Sequence, residues 1–99
     1  MGLRTALQSL FEAITPNVYF QPSASLEMEY PCIVYKRDNM DTKFADNNPY
    51  LLTTRYMVTV IDRNPDSTIP KTVASLPMCL FNRAYAKSNL NHDVFLLHF

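Results

Sequence analysis

Glycine is almost absent from this chain of 99 residues, in which the only glycine is Gly2. Glycine adopts positive φ angles at no steric cost, so without it the tight turns must rely on asparagine and aspartate. Glycine-rich phosphate-binding loops and the Gly-x-Ser-x-Gly turn of α/β-hydrolases both need internal glycines, and both are excluded. We therefore expect Asn- and Asp-based turns and no nucleotide-binding loop.

The composition is rich in apolar residues and poor in charge. Hydrophobic residues make up 47% of the chain and charged residues 18%, whereas about 25% charge is usual. We expect a single domain over residues 1–99. A domain of this size has a modest core, so partner subunits often bury the apolar surface that the core cannot. The six Tyr, six Phe and five Met are residue types enriched in interface cores. They could equally fill a small aromatic core, and the sequence leaves both interpretations open.

The nine basic and nine acidic residues cancel, whereas nucleic-acid binders need a surplus of Lys and Arg. The sequence has no polybasic segment of the kind that binds anionic lipids. It also has no run of about 20 apolar residues that could span a bilayer. The first 15 residues lack the pattern of a signal peptide, because Gln8 and Glu12 interrupt the apolar positions. We therefore expect no membrane association and a reducing cytoplasm, in which Cys32 and Cys79 are buried free thiols.

The first half of the chain predicts a helix, a strand and a long loop. The helix is indicated by apolar residues at helical spacing, which are Leu3, Leu7, Leu10, Phe11 and Ile14. Pro16 ends the helix, and 18–20 is a short extended piece. A β-branched and aromatic strand follows at 31–36. The polar segment 37–50 is rich in Asp and Asn, which predicts an unusually long loop.

The second half predicts the rest of an α+β fold. A strand over 51–62 carries apolar residues on both sides, which places it centrally in a sheet. A second helix over 68–76, a strand over 78–86, a turn at 87–91 and a strand over 92–99 complete the chain. The last two strands are expected to form a hairpin. We predict a mainly antiparallel four- to five-stranded sheet with two helices packed on one face.

Two groups of polar residues are candidates for chemistry. One is a set of aspartates that could hold Mg²⁺ or Ca²⁺, namely Asp38, Asp41, Asp46, Asp62 and Asp66. Their spacing fits no EF-hand, so a solvated loop is favoured. The adjacent His92 and Asp93 could act as an acid–base dyad, but a turn whose side chains bond the backbone is favoured. We predict no catalytic residue, no metal ligand and no cofactor.

Arg55 interrupts an otherwise apolar strand. It is either a charge at the margin of the strand or one half of a salt bridge between subunits, with an acidic residue of the 37–50 segment as its partner. An open sheet of four or five strands also leaves two edges that can pair with another chain.

Four segments together resemble the small tail-completion or tail-terminator proteins of long-tailed bacteriophages. They are Tyr30-Pro-Cys-Ile-Val-Tyr35, Phe44-Ala-Asp-Asn-Asn-Pro-Tyr50, Arg55-Tyr-Met-Val-Thr-Val-Ile-Asp62 and Asn89-Leu-Asn-His-Asp-Val-Phe95. The resemblance extends over nearly the whole chain, from the N-terminal helix to the closing hairpin.

The resemblance implies a hexameric ring in the virion, assembled in the host cytoplasm. Such a ring ends tail-tube polymerisation, joins the tail to the head connector and lets DNA pass through its lumen without sequence recognition. It implies no enzymatic activity, and its partners are copies of itself, the tail-tube protein and the connector. The residues expected to contact a subunit or the tube are Met40, Asp41, Lys43, Phe44, Tyr50 and Arg55.

Two other functions stay open at the level of the sequence. One is a small metal-dependent hydrolase or nuclease that uses the loop aspartates and His92. The other is an adaptor that captures a peptide on a sheet edge.

Overall fold

The computed structural model describes residues 4–23, 25–45 and 48–99, and for residues 39–45 and 48–53 it describes the backbone only. The elements in chain order are α1 (Arg4–Glu12), β1 (Val18–Phe20), β2 (Cys32–Ala45), β3 (Asn48–Asp62), α2 (Ile69–Ala74), β4 (Cys79–Lys87) and β5 (Leu90–His98). None of the described helices is both long and apolar enough to span a bilayer.

The five strands form one sheet in the order β1-β2-β3-β5-β4. β1 runs parallel to β2, and the other neighbouring pairs are antiparallel. The predicted α+β class and the central position of the 51–62 strand, which is β3, are confirmed. β1 has only three residues, so the two edges of the sheet differ greatly in length.

Both helices pack on the same face of the sheet. α1 contributes Leu7 and Phe11, and α2 contributes Val73. The strand residues buried against them are Ile33, Tyr35, Tyr56, Val58, Val60, Phe95 and Leu97. Within each strand these positions are two residues apart or separated by a multiple of two, as expected for side chains that share one face.

Tyr35 lies at the centre of this core. Its ring contacts those of Phe11, Phe20 and Tyr56 at centroid distances of 5.2, 4.9 and 5.9 Å. Its hydroxyl accepts a hydrogen bond from the Arg4 guanidinium at 3.1 Å and donates one to Gln8 Oε1. One side chain therefore joins α1, β1, β2 and β3.

The predicted loop over 37–50 is wrong, because residues 37–45 belong to β2 and residues 48–50 belong to β3. The two strands stay paired from Asn39↔Arg55 to Ala45↔Asn48, with register shifts after Arg37 and after Lys43. A strand pair that extends beyond its sheet has no layer to pack against, so it does not need the apolar alternation that marks a strand in sequence. Composition alone therefore indicated a loop.

The turns largely follow the expectation of Asn- and Asp-based chemistry. Ser88 and Asn89 have φ values of 54° and 64°, the positive pair of a type I′ turn between β4 and β5. After β3, Asp62 Oδ1 accepts from the Asn64 N–H at 2.9 Å, and Asn64 Oδ1 accepts from the Asp66 N–H at 3.0 Å. The positive φ of 59° at Met78 was not predicted; this bulky residue directly precedes β4.

Candidate assembly interface

β2 and β3 extend beyond the sheet as a two-stranded arm, defined here as residues 39–45 and 48–54. β5 reaches β3 only as far as the pair Arg55↔His98, and β1 pairs with β2 only up to Tyr35. The outer margins of the arm therefore have no strand neighbour among the described residues. At about 3.3 Å per residue, the arm adds on the order of 20 Å, in keeping with overall extents of 51 × 25 × 23 Å.

Arg55 lies at the base of the arm and forms an ion pair within its own chain. Its Nε donates to Asp38 Oδ2 at 2.7 Å. Asp38 belongs to the 37–50 segment, so the acidic partner is of the expected kind, but it comes from the same chain. Both side chains are about one-third exposed or less, and a pair so placed contributes about 0–1 kcal/mol. The ion pair links β2 to β3 at the base of the arm.

The other expected contact residues lie along the arm. The backbone positions of Met40, Asp41, Lys43 and Phe44 are in β2, and that of Tyr50 is in β3. Their side chains lie outside the described part of the structure. The arm therefore groups these residues on one projecting element, and what they touch stays a prediction.

β4 is the long edge strand, and its first half is strongly apolar. It pairs with β5 on one side, and the other side has no described strand neighbour. Leu80 and Phe81 are 66% and 59% exposed, and the preceding Met78 is 61% exposed. Native proteins usually blunt an exposed edge with charge or a bulge. Here the bulge and Arg83 come only after Phe81, so the first half of the edge is left open.

An apolar cavity of about 340 Å³ adjoins the start of β4. Its wall combines Leu7 and Leu10 of α1 with Leu76, Met78 and Phe99. The exposed edge and the cavity share Met78, so they form one continuous apolar surface. Sequence reasoning predicted the strand but missed this surface, because only the long-range order of the strands shows that β4 is at an edge.

The face of the sheet opposite the helices carries a groove of about 270 Å³. Lys36 of β2 and Arg83 of β4 both line it, together with Thr59 and Tyr85. No carboxylate is among the residues that line it in the described part of the chain. The groove is therefore cationic although the whole chain is neutral.

Tyr85 is held in place beside this groove by two neighbours. Its ring stacks on His92 with a centroid distance of 4.6 Å and an interplanar angle of 10°. The Arg83 guanidinium lies 5.5 Å from the centroid of the Tyr85 ring. Tyr85 is 43% exposed, so this stacked set presents an aromatic and cationic surface next to the β4 edge.

The candidates for chemistry are not brought together. His92 and Asp93 are neighbours in β5, so their side chains point to opposite faces of the sheet. The His92 ring nitrogen Nδ1 lies 3.2 Å from the Leu90 carbonyl oxygen. Among the described side chains, no three of His, Cys, Asp or Glu are placed to hold a metal ion. The side chains of Asp41 and Asp46 lie outside that description.

The two cysteines differ in burial. Cys32 is fully buried, as predicted, and burial, with a further contribution from the Asp62 carboxylate, raises the pKa of its thiol to about 11. Full burial of Cys79 was a wrong prediction, because Cys79 opens the edge strand β4 and is only half-buried. Burial also raises the pKa of the Cys79 thiol. Neither residue is placed as a thiolate nucleophile.

Comparisons of this chain with protein-family models, with curated proteins and with solved structures give no match.

Proposed function

We propose that this chain is a structural virion protein that assembles into a ring at the head-proximal end of a phage tail. The ring ends polymerisation of the tail tube and joins the tail to the head connector. The four segments that resemble tail-terminator proteins support the placement in a tail. The exposed surface described above supports assembly, and the proposed role requires no enzymatic chemistry.

The observation that carries the proposal is the apolar edge of β4. Leu80 and Phe81 of β4, and Met78 just before it, are each at least 59% exposed. The outer backbone groups of β4 have no strand partner in the described part of the chain. Such an edge is a template for pairing with another chain. A second copy that covers it removes apolar area from water and satisfies the open backbone groups.

The positions of the two surfaces support a ring. The β4 edge and the projecting arm lie on different elements, so a contact that joins them is heterologous and closes into a ring when the rotation permits. DNA passes through the lumen of such a ring. The equal numbers of acidic and basic residues suit passage without tight electrostatic retention.

The first test is the oligomeric state of the purified full chain, measured by native mass spectrometry and by sedimentation at several concentrations. We expect a closed oligomer, with six copies as the size implied by the resemblance. The variant Leu80→Glu places a charge on the edge and should shift the protein to monomers. Leu26→Glu is the matched control, because Leu26 is also exposed, at 43%, but lies away from the edge.

The second test concerns the tail. Purified tail-tube protein that polymerises alone should give shorter, capped tubes when this chain is added, as measured by electron microscopy. A chain that forms rings but never binds tube or connector protein would contradict the tail assignment and leave assembly intact. A strictly monomeric chain at high concentration would contradict both.

The same edge also favours a second candidate, a peptide-binding adaptor. An extended peptide could add a strand to β4 and place one apolar side chain in the adjoining cavity of about 340 Å³. This function predicts a monomer that binds apolar peptides. Loss of that binding in Leu80→Glu, without any change in oligomeric state, would favour the adaptor over the ring protein.

A further inference from the structure

We infer that the cationic groove on the face of the sheet opposite the helices binds the phosphate backbone of a single-stranded nucleic acid. Lys36 and Arg83 line this groove together with Thr59 and Tyr85. The groove lies on a face of the sheet, whereas the proposed assembly uses the outer margin of β4. Binding to the groove and assembly through the edge are therefore separate properties that can be measured separately.

The sheet separates its charges although the whole chain is neutral. Asp62 of β3 and Asp93 of β5 are spaced by two residues, or a multiple of two, from the core residues of their strands, so both carboxylates are on the helix side. Lys36 and Arg83 are on the groove side, and Lys87 follows Arg83 at an even spacing on the same side. The groove side therefore carries an excess of positive charge that the net charge of the chain does not show.

The positive charge of the groove is not balanced by a carboxylate of the described side chains. Asp38 follows Lys36 by two residues, but it is already paired with Arg55 at 2.7 Å. Neither Lys36 nor Arg83 forms an ion pair with any carboxylate in the part of the chain whose side chains are described. A surface of this kind attracts an anion.

The spacing of the two cations favours a ligand with several anionic groups. One row of paired residues crosses β2, β3, β5 and β4, namely Val34, Thr59, Val94 and Arg83. Lys36 is the next residue along β2 on the same face. With about 4.8 Å between neighbouring strands, the Cα atoms of Lys36 and Arg83 are on the order of 15 Å apart. A polymer that lies across the strands can contact both cations.

The groove suits a nucleic acid better than an acidic peptide. An extended peptide gains affinity from backbone hydrogen bonds at a sheet edge, but the strands beneath the groove are paired with one another. Phosphate groups need only cationic and hydroxyl side chains, and unpaired bases stack on aromatic rings. Tyr85 offers such a ring, because it stacks on His92 at 4.6 Å and is still 43% exposed.

The test is the binding of a fluorescent single-stranded thymidylate oligomer, about eight nucleotides long, to the native full chain. Fluorescence anisotropy at several salt concentrations measures the affinity. Two neutralised phosphates predict a slope of about −1.4 in the logarithm of the affinity against that of the salt concentration. Binding is then weak and sensitive to salt, which is compatible with a nucleic acid that moves past the groove.

Variants of the two cations identify the site. Lys36→Gln and Arg83→Gln should each weaken binding about fivefold at low salt and reduce the size of the slope by about 0.7. Lys71→Gln is the matched control, because it also removes one exposed positive charge but lies on α2, on the other face of the sheet. Circular dichroism checks that each variant keeps the native fold.

Variants of Tyr85 test the contact with the bases. Tyr85→Leu removes the aromatic ring and should weaken binding of the single strand about tenfold. Tyr85→Phe keeps the ring and should bind about as tightly as the native chain. Equal binding by these two variants would overturn the assignment of the ring as a stacking surface.

Three further outcomes would overturn the inference. One is the absence of binding at low salt, and another is an equal loss of affinity in Arg83→Gln and Lys71→Gln. The third is a competitor that binds as tightly as the single strand. If that competitor is polyglutamate, the groove takes an acidic peptide; if it is a duplex, Tyr85 does not stack on bases. None of these results bears on the oligomeric state, so the proposed ring stands or falls by its own tests.

Discussion

Tyr35 shows how one residue holds several elements of this small core together. Its ring is fully buried, while its hydroxyl bonds both Arg4 and Gln8 of α1. Arg4 also lies over the Phe20 ring, 4.8 Å from its centroid. The helix, the short edge strand β1 and the centre of the sheet therefore depend on the same contacts.

The substitution Tyr35→Phe should lower the free energy of unfolding by about 1–2 kcal/mol. It keeps the aromatic packing but removes the hydroxyl, which leaves the partly buried Gln8 and Arg4 groups without that partner. Urea unfolding measures the effect. Tyr30→Phe is the matched control, because it keeps the ring that lies 5.7 Å from the Arg63 guanidinium. Equal stability of the two variants would contradict the assigned role.

Cys32 should make stability depend on pH in the alkaline range. Its pKa is about 11 in the folded protein and 9.0 for an ordinary thiol, so the unfolded state loses the proton first as pH rises. The thiol therefore stabilises the fold below pH 9, and this contribution falls between pH 9 and 11, by at most about 2–3 kcal/mol. Urea unfolding of the native chain and of Cys32→Ala should give curves that converge over this range. A constant difference would contradict the raised pKa.

At the level of elements, the glycine-free turn between β4 and β5 can be improved. A type I′ turn requires positive φ at both central residues, and Asn-Gly satisfies this at the lowest cost. Ser88 adopts such a φ without being a residue type that favours it. The double substitution Ser88→Asn and Asn89→Gly should raise the free energy of unfolding by roughly 0.5–1 kcal/mol. Chemical denaturation tests this, and a loss of stability would mean that the turn is of another type.

The arm should be dispensable for folding and required for assembly. The arm extends β2 and β3 past the ends of β1 and β5. Replacing residues 41–53 with Asn-Gly therefore closes the hairpin at the pair Met40↔Thr54 and leaves Thr54, whose carbonyl accepts from the Phe99 N–H. We expect a monomer with a cooperative thermal transition close to that of the native monomer. Native mass spectrometry and circular dichroism measure the two properties. A shortened chain that still forms rings would show that the arm is not the contact element.

Most elements were predictable because their signals are local. α1 follows from apolar residues at helical spacing, and β3 from apolar residues on both sides of one strand. The arm was missed because its Asp- and Asn-rich composition is that of a loop, while its pairing is fixed by the strands it continues. The position of β4 at an edge was not predictable either, since strand order depends on contacts far apart in sequence.

At the level of the whole molecule, assembly should appear as concentration-dependent stability. Subunit association stabilises the folded state by mass action, so the melting temperature should rise with protein concentration. Differential scanning calorimetry over a hundredfold concentration range measures this shift. The monomeric Leu80→Glu variant should show no such dependence. A melting temperature that is independent of concentration in the native chain would count against a stable oligomer.

The sheet has a long, apolar edge at β4 and only three residues at β1. In the described part of the chain, each copy contributes one β4 edge and one projecting arm to the proposed assembly. Copies that join through these two surfaces would link end to end with a fixed polarity and would not branch. The proposed ring would then close when the last copy contacts the first, and its size would need no separate length-determining protein.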